Sequence, residues 1–282
     1  MNRKLIALDL DGTLLGPDGK LSAATIDAVA RCRDAGHFVC IATGRNRGES
    51  EAVLEALDHD AHEHHHVFVG GAMVVDTEND QTLNAVTMNR ELAIGICDVL
   101  EELELAPMVL QTGDRGYAEF VFGRLGLHEE VKRWHERTAA IVHRTDDLGT
   151  FAHDKTLRVG ALGHEQIMQA AADVVKERFG NRVFAYRVQL ANYGIELLES
   201  FDPKATKWTG VKFLADRHGF PTDDVIAVGD DHNDLPMLEH AGMGIAMGNA
   251  RAAAKEAADH IIGSHAHDGL AEFLEDIADG KI

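Results

Sequence analysis

Asp9 and Asp11 stand two residues apart at the end of an apolar run, LIALDLDGTLL, and Gly12 follows at once. In an extended chain alternate side chains share a face, so both carboxylates can point into one crevice. Gly12 permits the sharp turn that follows. Two adjacent carboxylates repel and need a cation, a shared proton or both. Hard oxygen ligands, few in number, favour Mg2+, which keeps several waters and bridges to a substrate phosphate. A simple polar turn uses the same letters, so DGT alone leaves both readings open.

Three further stretches carry chemistry. Thr43, Gly44 and Arg45 close a second apolar run, FVCIA, and a hydroxyl with a free backbone N–H at a strand end suits a phosphate oxygen. A helix capped by Thr43 fits equally well. Gly229-Asp230-Asp231-His232-Asn233-Asp234 follows VIAV. Polar ligand-type residues directly after a buried strand are costly unless something binds them, although acidic loops are common. Lys207 opens a helix whose apolar Trp208, Val211 and Leu214 recur at helical spacing. The helix dipole disfavours a cation there, which hints at a task, with a solvated lysine as the alternative.

The elements that must position these residues alternate. KLIALDL (4–10) reads as a buried strand, 22–35 as a helix with Ser22 as N-cap and Gly36 past its end, FVCIA (38–42) as a strand, 47–58 as a helix and HVFVG (66–70) as a third strand. Strands apolar on both faces and alternating with helices indicate a parallel α/β sheet. Near residue 84 the pattern changes. A helix (88–104), the strands PMVLQ and YAEFVF, a charged helix (128–139), LRVGALG, a helix (165–179), VFAYRVQL and GIELLES follow. Strands then pair with strands, as in an α+β insertion with an antiparallel sheet. From Lys207 the first style returns: helix 207–218, VIAVG (225–229), a short helix at 234–240, GIAM (244–247) and helices at 250–257 and 269–278. The expected fold is a doubly wound, mostly parallel α/β core over 1–83 and 199–282, with an inserted α+β cap domain over 84–198.

Composition sets limits on partners. Of 282 residues, 45% are hydrophobic and 26% charged, which argues against dominant disorder. Asp plus Glu number 47 against 27 Lys plus Arg, giving −20. Such a surface repels nucleic-acid backbones and anionic membranes as general partners. It also repels anionic substrates, so a phosphate enzyme of this charge needs a local positive site. Cys32, Cys40 and Cys97 are odd in number and lack CxxC spacing. They read as small buried hydrophobes in a reducing compartment. With no signal-like or bilayer-long apolar run, a cytoplasmic location is expected.

The four stretches together resemble the haloacid dehalogenase superfamily of phosphohydrolases, specifically Cof-type members with a type IIB cap. DLDGTL (9–14) matches its first motif, ATGR (42–45) its second, Lys207 in PKATKWTGVKFL its third, and VGDDHNDLPML (228–238) its fourth. MGNARAAAKEAADHI and HDGLAEFL are similar to the family's ending. The resemblance implies that Asp9 attacks phosphorus and forms an aspartyl-phosphate, while Asp11 protonates the leaving oxygen and then deprotonates water. It implies that Mg2+ is held by Asp9, the Asp11 backbone carbonyl and Asp230, with Asp234 and Asn233 in support. Thr43, the Gly44 N–H, Lys207 and Asn233 would grip phosphoryl oxygens. An aspartate at position 11, where related ATPases carry threonine, favours ester hydrolysis. The expected substrate is a small phosphate monoester, sugar phosphates first, with pyridoxal phosphate and flavin mononucleotide also open. A phosphomutase like some phosphomannomutases, or a non-catalytic sugar-phosphate-binding regulator, are the alternatives. Gly70-Gly71-Ala72 departs from the family's Asn-Gly-Ala and puts a side-chain contact at Gly70 in doubt.

Other features read as structural. His62, His64, His65 and His66 are expected in a solvated loop, because no cysteine or carboxylate ligand pattern surrounds them. Trp134 and His135 are expected on an amphipathic cap helix, and His232 on a loop surface. The turn Gly113–Tyr117 is a candidate for reaching the substrate.

Overall fold

The computed structural model describes residues 3–57, 64–124, 132, 141–190 and 194–282. His62 and the expected helix 128–139, with Trp134 and His135, lie outside the described residues. The chain divides into two compact units: residues 1–45, 50–84 and 206–282 in the first, residues 46–49 and 85–205 in the second.

The first unit is built on a parallel sheet of five strands in the order β14-β13-β12-β1-β2. Its members are β1 (Leu5–Leu8), β2 (Phe38–Ile41), β12 (Val225–Gly229), β13 (Met243–Ala246) and β14 (His260–Ile261). β1 is central, with Leu5 opposite both Val225 and Phe38. Its four residues are all buried, which is why it reads as an unbroken apolar run. Leu5 and Ala7 pack in a cluster with Val211 and Leu214 of α5 (Lys207–His218). Ile6 and Leu8 point the other way and are equally buried. α1 (Ala23–Asp34) packs against β2 and against α8 (Gly269–Ala278), where the Cys32 thiol donates to the Leu274 carbonyl at 3.2 Å. Ser22 caps α1 by accepting from the Thr25 amide, as its sequence position predicts. α6 (Leu235–His240) and α7 (Ala252–Ala257) link β12, β13 and β14.

Residues 66–70 differ from expectation. β3 covers His65–Phe68 and joins a three-stranded sheet with β4 (Met73–Asp76) and β5 (Gln81–Ala85), touching the main sheet through a parallel bridge from Val67 to Ala42. The strand stops at Phe68 because Val69, Gly70 and Gly71 all take positive φ, at 52°, 64° and 102°. The neighbouring histidines are structural. His66 is buried and its Nδ1 accepts from the Ile41 amide at 3.1 Å, while His65 Nδ1 meets His218 Nε2 at 2.8 Å. A solvated loop is therefore the wrong description of His65 and His66: their rings fill the seam between β2, β3 and α5.

The second unit is a six-stranded, mostly antiparallel sheet in the order β10-β11-β9-β6-β7-β8. The strands are β6 (Met108–Thr112), β7 (Ala118–Phe122), β8 (Ile141–Arg144), β9 (Thr156–Gly163), β10 (Phe184–Leu190) and β11 (Ile195–Phe201). α3 (Arg90–Glu102) and α4 (Glu165–Phe179) cover one face, burying Val109, Val121, Val159, Ala161 and Leu198. Arg158 on β9 and Glu199 on β11 form a buried ion pair. α2 (Arg47–Leu57) opens with the reciprocal bonds Asn46 N to Glu49 Oε2 (2.9 Å) and Glu49 N to Asn46 Oδ1 (3.0 Å). Arg47 donates to the Arg115 carbonyl at 2.7 Å and lies over the Tyr117 ring.

Candidate active site

The residues of the four motifs belong to the first unit and sit beside strand ends or at a helix start, whereas the turn Gly113–Tyr117 belongs to the second. Asp9 follows β1, and its amide still donates to the Val228 carbonyl of β12 at 3.0 Å, which fixes its backbone against the neighbouring strand. The residue is only 4% exposed. Lys207 begins α5, capped by Thr206, and its side chain is wholly buried. The Lys207 ammonium lies 2.5 Å from Asp9 Oδ1 and 2.5 Å from Asp234 Oδ1. A cation at a helix start, unfavourable by dipole, is here neutralised by two carboxylates. Burial works against the charged amine, but Asp234 and Asp9 outweigh it and raise its pKa.

The loop after β12 makes its own frame. Asp231 and Asp234 form a reciprocal capping box over the single turn His232–Asp234. Asp234 Oδ2 accepts from the amides of Asp230 (2.9 Å) and Asp231 (3.0 Å). With Oδ1 on Lys207, both its oxygens are engaged, so Asp234 acts as a brace. Asp230 instead points at the first motif. Thr13 Oγ1 donates to Asp230 Oδ1 at 3.5 Å, and a carboxylate oxygen of Asp230 lies within 4.8 Å of one of Asp9. Gly12, at φ +81°, makes room for this, since a Cβ there would come within 2.7 Å of the Asp230 Cγ.

One oxygen each from Asp9, Asp230 and Asp234 falls within 4.8 Å of the others. Three carboxylates facing one ammonium leave the cluster two negative charges in excess. Burial, then the Asp234 charge, push the Asp9 carboxyl well above its ordinary range. The same two causes push Asp230 up to about 7. Carboxyls in contact with raised pKa values mark a place where a proton or a cation must sit. The donors are all hard oxygens, so the set fits a divalent metal of the magnesium type.

Asp11 is placed differently. β1 ends at Leu8, and the alternation expected to aim Asp9 and Asp11 together lapses before it reaches them. Leu10 is buried, while the Asp11 side chain is 60% exposed and accepts from Arg45 Nε (2.9 Å) and Nη2 (2.5 Å). Asp11 is near enough for its charge to raise the Asp9 pKa, but its carboxylate is held by Arg45. Thr43 is buried and its Oγ1 accepts from the Arg45 amide at 3.1 Å, leaving its hydroxyl proton for another acceptor. The Asn233 amide nitrogen lies 3.6 Å from where a Gly44 Cβ would be. Thr43, Gly44 and Asn233 thus line up near the same strand ends.

Three contributors carry no signal in the sequence alone. Arg45 lies within ATGR, but the motif does not show its partner Asp11. Gly71, and not Gly70, meets the start of α5. A Cβ on it would fall 2.7 Å from the Lys207 amide nitrogen, and closer to the Thr206 carbonyl. The third, Asn249, donates to the Gly12 carbonyl at 2.8 Å. Gly-Gly and Met-Gly-Asn are common turn letters, and nothing local distinguishes them. Gly70 itself takes φ 64°, ψ 17°, a left-handed conformation that asparagine tolerates better than most residues.

A model of the haloacid dehalogenase-like hydrolases matches residues 6–274. The chain is 29% identical over 277 residues, 96% of each protein, to a 5-amino-6-(5-phospho-D-ribitylamino)uracil phosphatase of Bacillus subtilis (strain 168). It is 28% identical over 293 residues, 97% of this chain and 98% of the other, to a pyridoxal phosphate phosphatase of Escherichia coli (strain K12). Among solved structures it is similar to a haloacid dehalogenase-like hydrolase from Bacteroides thetaiotaomicron, with TM-score 0.81 and 24% identity, covering 98% and 100% of the two chains. A subclass IIB sugar phosphatase gives TM-score 0.78 at 18% identity, covering 97% and 98%. The α/β core with an inserted cap is therefore the fold of these hydrolases, and the chain belongs to the haloacid dehalogenase-like hydrolase family as a phosphatase.

Proposed function

We propose that this phosphatase hydrolyses small phosphate monoesters, sugar phosphates foremost, through an aspartyl-phosphate on Asp9 and with Mg2+ as cofactor. The observation that carries the reading is the buried contact of Lys207 with Asp9 inside a cluster of three carboxylates. Asp9 and Asp230, with the Asp11 backbone carbonyl, would hold the metal, and Asp234 would brace them. The bound ion supplies positive charge for the transferring phosphoryl oxygens.

A carboxylate oxygen of Asp9 attacks phosphorus, and the bond from phosphorus to the ester oxygen breaks. Asp11, protonated and released from Arg45, gives its proton to that leaving oxygen. Water then attacks the aspartyl-phosphate, Asp11 takes a proton from it, and the bond to Asp9 breaks to free phosphate. Lys207, the Thr43 hydroxyl, the Gly44 amide and Asn233 hold the phosphoryl oxygens as charge builds on them. The second unit is assigned the role of cap domain. The relatives named above are described as acting on small phosphorylated molecules, which supports the substrate class. The three free, buried cysteines fit the reducing cytoplasm as its setting.

A phosphate-release panel of sugar phosphates, pyridoxal phosphate and flavin mononucleotide, run with and without Mg2+, tests the proposal. Release should need the metal and be lost in Asp9→Asn. Turnover by that variant near the wild-type rate would refute the nucleophile.

A further inference from the structure

We propose that Asn249 is a positioning residue that holds the turn after Asp11 in register with the Asp230 loop, and so sets the metal side of the site; the inference rests on the mechanism above. Residues 247–251 follow β13 and bracket two of the four motifs. The Met247 amide donates to the Gly229 carbonyl at 3.1 Å, and the Arg251 amide donates to the Asp230 carbonyl at 2.9 Å. Between them, Asn249 Nδ2 donates to the Gly12 carbonyl at 2.8 Å. Its Oδ1 accepts from the His265 amide at 3.0 Å and from Ser264 Oγ at 3.5 Å. The side chain is thus fixed at its oxygen end and aimed by its nitrogen end.

What it fixes matters for chemistry. Gly12 is the hinge between the Asp11 carbonyl, expected on the metal, and Thr13, whose hydroxyl reaches Asp230. At φ +81° it has more backbone freedom than any other residue type would have. Anchoring its carbonyl removes that freedom. The two backbone bonds tie the bracket to the Asp230 loop, and Asn249 alone extends it by a side chain to the turn that carries Asp9 and Asp11. Orienting partners behind metal ligands commonly change metal affinity or activity by about 10–100-fold when lost.

The test uses Asn249→Leu, which keeps the size and removes the amide. Asn249→Ser, too short to span the gap, serves as a second variant should the first fail to fold. Mg2+ binding is measured calorimetrically on the substrate-free protein, and kcat and KM with p-nitrophenyl phosphate. The dissociation constant for Mg2+ should rise about tenfold, and kcat should fall by a similar factor with KM within about twofold. Lys255→Met, which removes the 2.6 Å bond from Lys255 Nζ to the Gly248 carbonyl in the same segment but leaves Asn249 on Gly12, should match wild type in both. Mg2+ affinity and kcat within about twofold of wild type in a folded Asn249 variant, whatever its Tm, would overturn the proposal. The calorimetric comparison decides this even if Asp9→Asn were to overturn the mechanism itself.

Discussion

Replacing Gly71 by alanine should damage catalysis from a position that carries no chemical group. Gly71 has φ +102°, and a Cβ on it would lie 2.7 Å from the Lys207 amide nitrogen, whereas ordinary contact begins near 3.4 Å. The start of α5 must then retreat by about 0.7 Å at Lys207, and by more at Thr206, whose carbonyl is closer. Carried to the side chain, that shift would lengthen the 2.5 Å contacts of Lys207 with Asp9 and Asp234 to about 3.2 Å, the outer edge of useful hydrogen bonding. A displacement on the order of 1 Å at a reacting centre costs about 100-fold in rate. The strained φ adds a stability cost on the order of 1–3 kcal/mol. Gly71→Ala should therefore lower kcat for phosphate release by about 100-fold, with Tm reduced but the fold retained by circular dichroism. Gly70→Asn, at a φ that asparagine tolerates, should stay within about threefold of wild type. If Gly71→Ala turned over at the wild-type rate, the packing of the Val69–Gly71 loop would not be what places Lys207.

Two further outcomes concern the second unit. Glu199→Ala leaves Arg158 charged and buried without its partner, so it should cost about 3–5 kcal/mol in urea unfolding, whereas the double change Arg158→Met with Glu199→Leu should come out near neutral. His153 is fully buried, with its Nε2–H donating to the Leu148 carbonyl at 2.8 Å and Nδ1 meeting Thr156 Oγ1 at 2.9 Å. Burial lowers its pKa against the opposing pull of that carbonyl. Below the unfolded value of about 6.5, the unfolded chain takes up a proton that the folded chain refuses, so stability falls as pH drops. At saturating Mg2+, the loss of unfolding free energy between pH 7.5 and 5.5 should be larger in wild type than in His153→Gln; equal slopes would show that His153 does not supply it.

Much of the core could be read because it obeys local rules. α5 spans Lys207–His218 and β12 spans Val225–Gly229 as their patterns predict, since one has helical spacing with a glycine stop and the other is apolar on both faces. Where structure and pattern part, partners distant in sequence often decide the outcome. The apolar pattern of HVFVG extends to Gly70, but Val69 enters a strained left-handed conformation when its amide bonds the Arg45 carbonyl and the Gly70 amide bonds that of Thr43. β5 (QTLNA) lies in a polar stretch whose strand signal is weak, and β14 has two residues, too few for any periodicity. His65 and His66 look like a polar run until β2 and α5 supply their hydrogen bonds. At the site, residue types revealed Asp9, Lys207 and the Asp230 loop. The grip of Arg45 on Asp11 and of Asn249 on Gly12 requires contacts across 34 and 237 residues, which no short motif encodes.

The covalent step can be caught directly. p-Nitrophenolate leaves without needing a proton, so Asp11→Asn should still be phosphorylated by p-nitrophenyl phosphate yet lack the base that activates water. Acid quenching and peptide mass spectrometry of that variant should find one phosphoryl group on the peptide carrying Asp9. A phosphoryl group on another residue, or none while p-nitrophenolate is released in a burst, would contradict Asp9 as the nucleophile.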